Sequence, residues 1–402
     1  MVEIKEKLIF HIDVNSAFLS WSAVDKLLKG QVIDLRDIAS VIGGDEESRR
    51  GVVLAKSMTA KKAGIVTGES LFTARKKCAN LVVVAPDFNL YESCSRAMQE
   101  IFTDYTPYVE KFSIDECFLD MTSYNTSKEA AQWIAEDIKN RISTELGFTV
   151  NIGISDVKLL AKMASDFEKP DKIHTLFKNE IQKKLWQLNV SELFMVGKKT
   201  VPRLNNLNIF TIGDLARYDV EILKYHFKSS GRVMWQYANG IDSSEVKWNK
   251  YELKGISNST TLSEDIESKN EAYIVLLSLV DHTSTRLRDI KKCCYCISVT
   301  IKNHEFINYS ASKTLKNATD STEEILKTVK NIFDVLWKGE PIRLLGVSLN
   351  NLCMDNFKQI SIFDMDNGNY EKQRDLDKTM DSLRGRYGKN IIMKSVFLKK
   401  NN

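Results

Sequence analysis

Apolar runs and amphipathic segments alternate along the first half of the chain. Residues 7–16 (KLIFHIDVNS) form an apolar run that ends in a carboxylate, which is typical of a buried strand that ends at a site. Residues 112–122 (FSIDECFLDMT) also alternate, and neighbouring side chains of a straight strand face opposite ways. Asp115 and Glu116 can serve one site only if the backbone turns there, so the pattern predicts a hairpin tip. It then predicts a helix over 127–146, a strand over 148–155 and a helix over 156–167.

The second half of the chain has a different texture. From Pro170 onward the pattern indicates short helices separated by turns, and the polar, lysine-rich stretch 244–255 indicates a linker. Beyond it the order is strand, helix, strand, strand, helix, strand, which predicts a split ferredoxin-like unit of about a hundred residues. Its strand over 293–303 (CCYCISVTIKN) alternates, so helices are expected to cover one sheet face. The other face is expected to be polar and open, with Ser298, Thr300 and Lys302.

The composition is that of an ordinary soluble protein, with 43% hydrophobic and 27% charged residues. A length of 402 residues predicts several domains. The chain starts without the long apolar region of a signal peptide, and no apolar run could span a bilayer, so we expect a cytoplasmic protein with no membrane partner. Seven cysteines, an odd number, argue against a disulfide framework. A net charge of +4 permits a nucleic-acid partner without establishing one.

Two groups of acidic residues are candidates for a metal site. Residues 43–51 (GGDEESRRG) begin like the signature of certain nucleotide cyclases, but their glycines and arginines indicate a solvated turn. Phosphoryl transfer with two Mg²⁺ ions needs carboxylates on rigid elements, because small misplacements cost large rate factors. Asp13 at a strand end, with Asp115 and Glu116 at a hairpin tip, meets that need. Taken singly, a strand-end cap and an exposed turn would be the better explanations.

Together, these segments resemble the Y-family, or lesion-bypass, DNA polymerases. The resemblance covers nearly the whole chain, and its motifs occur in order and at family-like separations. They are DVNSAF (13–18), RRGVVLAKSMTAKKAGI (49–65), SIDECFLD (113–120), GISDVKLLAKMASDFEKPD (153–171), NSTTLSEDI (258–266) and IRLLGVSLNNL (342–352). The DVN spelling and TGESLFTARKKC (67–78) are closer to the bacterial UV-mutagenesis branch, including members carried on mobile elements, than to the chromosomal branch.

The resemblance implies an α+β, multidomain, right-hand polymerase. The palm would be ferredoxin-like, the fingers small, the thumb helical with a helix-hairpin-helix motif, and the little finger a βαββαβ domain. The implied boundaries are palm 1–16 and 86–175, fingers 17–85, thumb 176–243, linker 244–255, little finger 256–353 and tail 354–402. Its implied activity is low-fidelity, template-directed addition of dNTPs to a primer 3′-hydroxyl past DNA lesions, in the cytoplasm at the nucleoid. No second acidic set suggests an exonuclease, so proofreading is not expected.

The resemblance also assigns metal-site roles. Asp13 and Asp115 would bridge two Mg²⁺ ions, and the Val14 carbonyl would ligate the ion on the nucleotide side. Glu116 would complete the ion that activates the primer 3′-hydroxyl.

Residues for binding the incoming dNTP follow from the same motifs. Phe18 would lie beneath the sugar and exclude a 2′-hydroxyl, unless it is simply a core phenylalanine. Lys162 matches the family's nucleotide lysine, and Lys61 stands where many relatives carry arginine. Met58 stands where many members have a tyrosine, so either Ser57 or Lys56 is expected to supply the missing phosphate contact.

Two further segments suggest contacts with DNA and a partner protein. FMVGKKTVPRLNNLNIFTIGDL (194–215) looks like the thumb's helix-hairpin-helix, with Gly197 and Lys198 in a loop that contacts primer-template phosphates. Met195 stands where a glycine is common, and plain helical packing is the alternative. KQISIFD (358–364) resembles the peptide by which bacterial polymerases dock on the sliding clamp, through Gln359, Ile362 and Phe363. The alternative there is the start of an ordinary strand or helix.

The remaining candidates get no role. Cys293, Cys294 and Cys296 lack the second cluster that a structural zinc site needs.

The two rival functions are a nucleotide cyclase and a non-catalytic DNA-binding accessory derived from a polymerase. The intact Asp13, Asp115 and Glu116 argue against the accessory, while the departures at Met58 and Met195 leave it open.

Overall fold

The computed structural model describes residues 7–45, 49, 51–124, 127–248, 253–354, 368–388 and 391–397. The chain divides into two compact units, one made of Met1–Gly44 and Gly51–Lys250, the other of Asp45–Arg50 and Tyr251–Asn402. The division falls inside the stretch predicted to be a linker. The finer domain boundaries stay predictions.

The first unit combines two sheets with a series of helices. Its strands are β1 (Ile9–Val14), β2 (Ser40–Gly43), β3 (Val53–Lys56), β4 (Val82–Val84), β5 (Val109–Lys111), β6 (Glu116–Asp120), β7 (Val150–Ser155) and β8 (Ile173–Thr175). Its helices are α1 (Ala17–Leu28), α2 (Met58–Lys62), α3 (Leu71–Lys77), α4 (Phe88–Thr103), α5 (Lys128–Arg141), α6 (Lys158–Ser165), α7 (Ile181–Lys184), α8 (Val201–Asn205), α9 (Ile212–Arg217), α10 (Val220–Phe227) and α11 (Ser229–Ala238).

The larger sheet of this unit is palm-like. Its strand order is β5-β6-β1-β7-β8, and β1 is antiparallel to both of its neighbours. Every residue of β1 and β7 is buried, which explains their nearly continuous apolar runs. Phe10 and Ile12 of β1 share a core with Phe102 of α4 and Ile138 of α5. The strands and helices predicted for this region, including the hairpin, are confirmed.

The smaller sheet has the order β3-β2-β4 and a core of its own, which includes Val41 and Leu71. The acidic stretch interpreted as a solvated turn begins at the end of β2, and its residues Glu46 and Glu47 lie outside the described residues.

Helices α7 to α11 pack with α6 around an apolar core that is separate from the core of the larger sheet. Leu160 and Met163 of α6 join Leu204, Ile212 and Leu223 in one apolar core. All eight residues of α6 are buried, because the opposite face of this helix lies on the sheet.

The predicted linker begins as packed chain. Val246 is buried with Ile9 and Phe118, and the Lys247 amide donates to Glu110 Oε2 at 2.5 Å. Its described first part therefore belongs to the first unit.

The second unit is the predicted βαββαβ arrangement. It consists of β9 (Gly255–Ile266), α12 (Lys269–Asp289), β10 (Lys292–Asn303), β11 (Asn308–Thr319), α13 (Thr322–Leu336) and β12 (Ile342–Met354), followed by α14 (Gly368–Tyr387). The sheet order is β11-β10-β12-β9, and every neighbouring pair is antiparallel. Ile297 and Val299 are buried against the helices, whereas Ser298 and Thr300 lie half-buried on the other face, as the alternation predicts.

Ion pairs hold helix α14 against the rest of the second unit. Arg288 of α12 contacts Asp381 at 2.6 Å and Asp377 at 3.4 Å, and Arg374 contacts Asp320 at 2.8 Å. The sequence patterns predicted no element here.

Candidate active site

The three predicted catalytic carboxylates lie at adjoining ends of two neighbouring strands. Asp13 on β1 is directly opposite Glu116 on β6, and the Val14 amide donates to the Asp115 carbonyl at 3.1 Å. Asp115 lies in the tight turn of the β5–β6 hairpin, where the Phe112 and Ser113 amides both donate to the Glu116 carbonyl. The turn is what allows residues 115 and 116 to serve the same region.

Two lysines neutralise these acids. Lys162 Nζ is 2.5 Å from Glu116 Oε1 and 3.9 Å from Asp13 Oδ2, and Lys169 Nζ contacts Asp13 Oδ2 directly. Asp166 contacts both ammonium groups, Lys162 at 3.3 Å and Lys169 at 2.8 Å. Positive and negative groups therefore share this end of the sheet, and Asp166 gives each lysine one further partner.

Burial dominates the electrostatics of the acids. Loss of water raises the pKa of Asp13, although Lys169 and Lys162 oppose the rise. Burial also raises the pKa of Glu116, against the effect of Lys162, and the charges of Asp13 and Asp115 add to the rise. These carboxylates therefore gain from any cation that approaches them.

The nearby bases respond to the same environment. Burial opposes the charged form of Lys169, but Asp13 and Asp166 outweigh it and raise the pKa of this lysine. Burial lowers the pKa of His11 well below its usual range, and Lys162 and Lys169 lower it further. His11 is therefore neutral, and its Nδ1 lies 2.8 Å from Ser165 Oγ.

The carboxylates share a region but not a coordination shell. Among the described residues, no group of three or more His, Cys, Asp or Glu side chains is arranged to hold one metal ion. Asp115 Oδ1 instead accepts a hydrogen bond from Ser113 Oγ at 2.5 Å, and Glu116 is held by Lys162. The donors are nonetheless all oxygens, and ammonium groups already offset their charge, so the residues fit hard divalent cations such as Mg²⁺.

A cavity of about 470 Å³ opens beside Asp13 and Asp115. Asp13 and Asp115 line it together with Lys56, Lys61 and Lys169. Carboxylates for metal ions and ammonium groups for phosphates are what a nucleoside triphosphate requires of its site.

Phe18 lines this cavity and is fixed by other aromatic rings. It stacks on Tyr91, with ring centroids 4.5 Å apart and an interplanar angle of 10°, and it meets Phe88 edge-on at 6.0 Å. The two interpretations of Phe18 are thus compatible, because one side packs on the core and the other faces the cavity.

Two predicted nucleotide contacts do not line the cavity. The Ser57 hydroxyl caps α2, accepting from the Ala60 amide at 3.0 Å and donating to the Ile38 carbonyl at 2.7 Å. Lys162 is buried among the acids. Lys56 and Lys169 take their places on the cavity wall. Lys169 was missed, although it lies within the quoted motif over 153–171.

The DNA-contact candidates lie outside this cavity. Gly197 and Lys198 are exposed in the turn before α8, and Met195 has φ 72°, a left-handed conformation that favours glycine. The prediction that this position suits glycine therefore has a backbone reason. The clamp-peptide candidates Gln359, Ile362 and Phe363 lie outside the described residues.

The described residues carry neither a membrane-spanning helix nor a cysteine metal site. In the part of the chain that the structure describes, no helix is long and apolar enough to cross a membrane. Over the same residues, Cys293, Cys294 and Cys296 belong to no group of three or more side chains arranged to hold a metal ion.

Comparison with known proteins gives concordant results for sequence and fold. Residues 12–166 match the impB/mucB/samB family, and residues 253–362 match the C-terminal domain of that family. A DNA polymerase IV of Clostridium acetobutylicum is 54% identical over 98% of this chain and 99% of its own length. A DNA polymerase IV of Acetivibrio thermocellus is 34% identical over 98% of each chain.

Among solved structures, a Y-family DNA polymerase chimera superimposes with a TM-score of 0.77 at 21% identity. The match covers 86% of this chain and 99% of the chimera. The narrower assignment to the UV-mutagenesis branch stays a prediction, which the names of the two relatives do not favour. On the family matches and the near-complete coverage of its relatives, the chain belongs to the impB/mucB/samB family of Y-family DNA polymerases.

Proposed function

We propose that this chain is a template-directed DNA polymerase that adds dNTPs to a primer 3′-hydroxyl and continues past damaged template bases. The observation that carries this function is the meeting of Asp13, Asp115 and Glu116 at adjoining strand ends beside a cavity that also carries lysines. Nothing in the comparisons favours a nucleotide cyclase or a non-catalytic accessory.

Family membership implies dependence on divalent metal. We propose that two Mg²⁺ ions are held by Asp13 and Asp115, with the Val14 carbonyl on one ion and Glu116 on the other. Bound there, the ions would lower the pKa of the primer hydroxyl and offset charge on the phosphates. Ser113 would hold Asp115 in place through the hydrogen bond between their side chains.

Three lysines are proposed to bind the triphosphate. Lys56 and Lys61 approach from β3 and α2, and Lys169 approaches from the loop after α6. Lys169 would exchange Asp13 for a phosphate oxygen while keeping its contact with Asp166. Lys162 is proposed to stay beside Glu116 and balance its charge.

Sugar selection is assigned to Phe18. Its ring lines the cavity and cannot retreat, because Tyr91 lies flat behind it. A 2′-hydroxyl would therefore meet a fixed surface, which selects deoxyribonucleotides by exclusion.

Contacts with DNA and with the sliding clamp complete the proposal. Gly197 and Lys198 are proposed to bind phosphates, and the polar face of the second unit, with Lys302, is proposed to track the DNA backbone. Clamp binding by Gln359, Ile362 and Phe363, and work at the nucleoid, stay predictions.

The experiment is primer extension with Mg²⁺ and dNTPs on a defined template, with wild type and Glu116→Gln compared. We expect extension by wild type only, and equal primer-template affinity for both proteins. Glu221→Gln is the matched control, because Glu221 is a surface carboxylate that contacts Lys224. Extension by Glu116→Gln at the wild-type rate would contradict the assignment.

A further inference from the structure

A buried asparagine lies on β7, beside the catalytic strand β1, and its side chain bonds to none of the predicted metal ligands. Asn151, in the middle of the sheet on β7, is 0% exposed and directly opposite Asp13 on β1. An amide in a fully buried strand must have partners, because a buried polar group without hydrogen bonds is costly.

All four partners of the Asn151 side chain lead to one small region. Its Nδ2 donates to the Ser165 carbonyl at 3.1 Å and to the Glu168 carbonyl at 2.6 Å. Its Oδ1 accepts from Lys172 N at 3.3 Å and from Asn15 Nδ2 at 3.1 Å. Three of these bonds reach the segment between α6 and β8, here called the 166–172 loop, or its flanking residue Ser165.

Asn15 extends the same connection. It is 9% exposed, and its Oδ1 accepts from the Asp171 amide at 2.9 Å. Asp171 has φ 60°, a conformation that non-glycine residues keep only where the surroundings impose it. The two amides together hold the backbone of the loop at both of its ends.

The loop carries Lys169, the lysine that reaches from it into the cavity. We propose that Asn151, acting with Asn15, is a positioning residue that fixes the 166–172 loop and thereby holds Lys169 where it meets the triphosphate. This inference rests on the proposed role of Lys169. Asn151 itself touches neither the substrate cavity nor a predicted metal ligand's side chain.

The geometry favours positioning over a purely structural role. A strand residue that served only the core would be expected to be apolar, whereas residue 151 is a fully buried amide. The side-chain hydrogen bonds of Asn151 instead go to the loop, to Ser165 beside it and to Asn15. A substitution at residue 151 should therefore displace Lys169 more than it disturbs the sheet.

The test is a double-mutant cycle on steady-state dNTP incorporation with Asn151→Leu, Lys169→Ala and the double variant. Leucine keeps the γ-branched shape and removes the hydrogen bonds. We expect Asn151→Leu to raise KM for the dNTP about tenfold with a smaller effect on kcat, and the double variant to be no worse in KM than Lys169→Ala. Multiplicative effects on KM would overturn the proposal.

Two further variants keep the outcome decisive. Asn15→Ala removes only two bonds of the same connection and serves if Asn151→Leu does not fold. We expect it to raise KM as well, and an unchanged KM would overturn the proposal.

Asn303→Leu is the matched control, because Asn303 is a buried amide of the second unit that accepts from Ile307 N at 2.9 Å. It should lower stability without changing KM.

The cycle also separates this inference from the proposed function. If Lys169→Ala leaves KM unchanged, the proposed role of Lys169 fails and the positioning inference falls with it. If Lys169→Ala raises KM but Asn151→Leu and Asn15→Ala do not, the polymerase site stands and only the positioning inference is overturned.

Discussion

Both units of the molecule bury charged side chains, but they use them differently. In the first unit, Lys162 touches three carboxylates and Asp166 touches two lysines, at strand ends beside a cavity. In the second unit, Arg288 lies between Asp377 and Asp381 and joins α14 to α12. One cluster has interchangeable partners beside open space, and the other has fixed partners between two helices.

The difference shows how a functional cluster can be told from a structural one. Charges that share partners and border a cavity can release one partner for a ligand at small cost. Charges sandwiched between helices can release nothing without exposing a buried group. Substitutions in the two clusters should therefore separate activity from stability.

The largest effect is expected in the first cluster. Asp13→Asn should lower primer extension at least about 1,000-fold, because an amide supplies no charge to a divalent cation. The free energy of unfolding should change by less than about 1 kcal/mol, since Lys162 keeps Glu116 and Lys169 keeps Asp166. Denaturant unfolding and primer extension on the same preparation check both parts. A large loss of stability would remove the distinction between the clusters.

The second cluster should behave in the opposite way. Arg288→Met leaves Asp377 and Asp381 without this partner and should cost about 3–5 kcal/mol of unfolding free energy. Primer extension at a temperature where the variant is folded should stay near the wild-type rate. The comparison fails if the extension rate falls as far as it does for Asp13→Asn.

A smaller effect is expected for sugar selection. Phe18→Ala should raise incorporation of ribonucleotides relative to deoxyribonucleotides about 10- to 100-fold, because the ring fixed by Tyr91 is removed from the cavity. Single-nucleotide incorporation with dNTP and rNTP pairs measures the ratio. Phe210→Ala, an exposed aromatic residue outside the cavity, is the control. An unchanged ratio would leave Phe18 as a core residue.

The smallest effect concerns exposed charge. Lys198→Ala should reduce the salt slope of DNA binding by about one, because one phosphate contact is lost. Fluorescence anisotropy across a salt series measures the slope. Lys224→Ala is the control, since Lys224 is already paired with Glu221 at 2.9 Å. Equal slopes for the two variants would count against the turn before α8 as a phosphate site.

The second unit and the β5–β6 hairpin could be predicted from the sequence, because both depend on local periodicity. Strand alternation predicts the second unit, and the hairpin requirement places Asp115 and Glu116 together. Both follow from side chains that alternate along a strand, which needs no knowledge of distant partners.

The missed features depend on tertiary contacts. The loop carrying Lys169 is held by amides far away in the chain, Asn15 and Asn151. One signal was available, since Asn151 interrupts an apolar run. Helix α14 was missed because ion pairs, including that between Arg374 and Asp320, hold it where an apolar stripe would otherwise be expected. Charge pairing leaves no periodic signature of its own.

Helix α6 belongs to two neighbourhoods at once. One side places Lys162 against Glu116, while Leu160 and Met163 are embedded among helices α7 to α11, which adjoin the proposed phosphate contacts Gly197 and Lys198. Close-packed interiors transmit displacement instead of absorbing it. If those helices move when a duplex binds or leaves, α6 should move with them. The contact between Lys162 and Glu116 would then differ between the DNA-bound and the DNA-free protein.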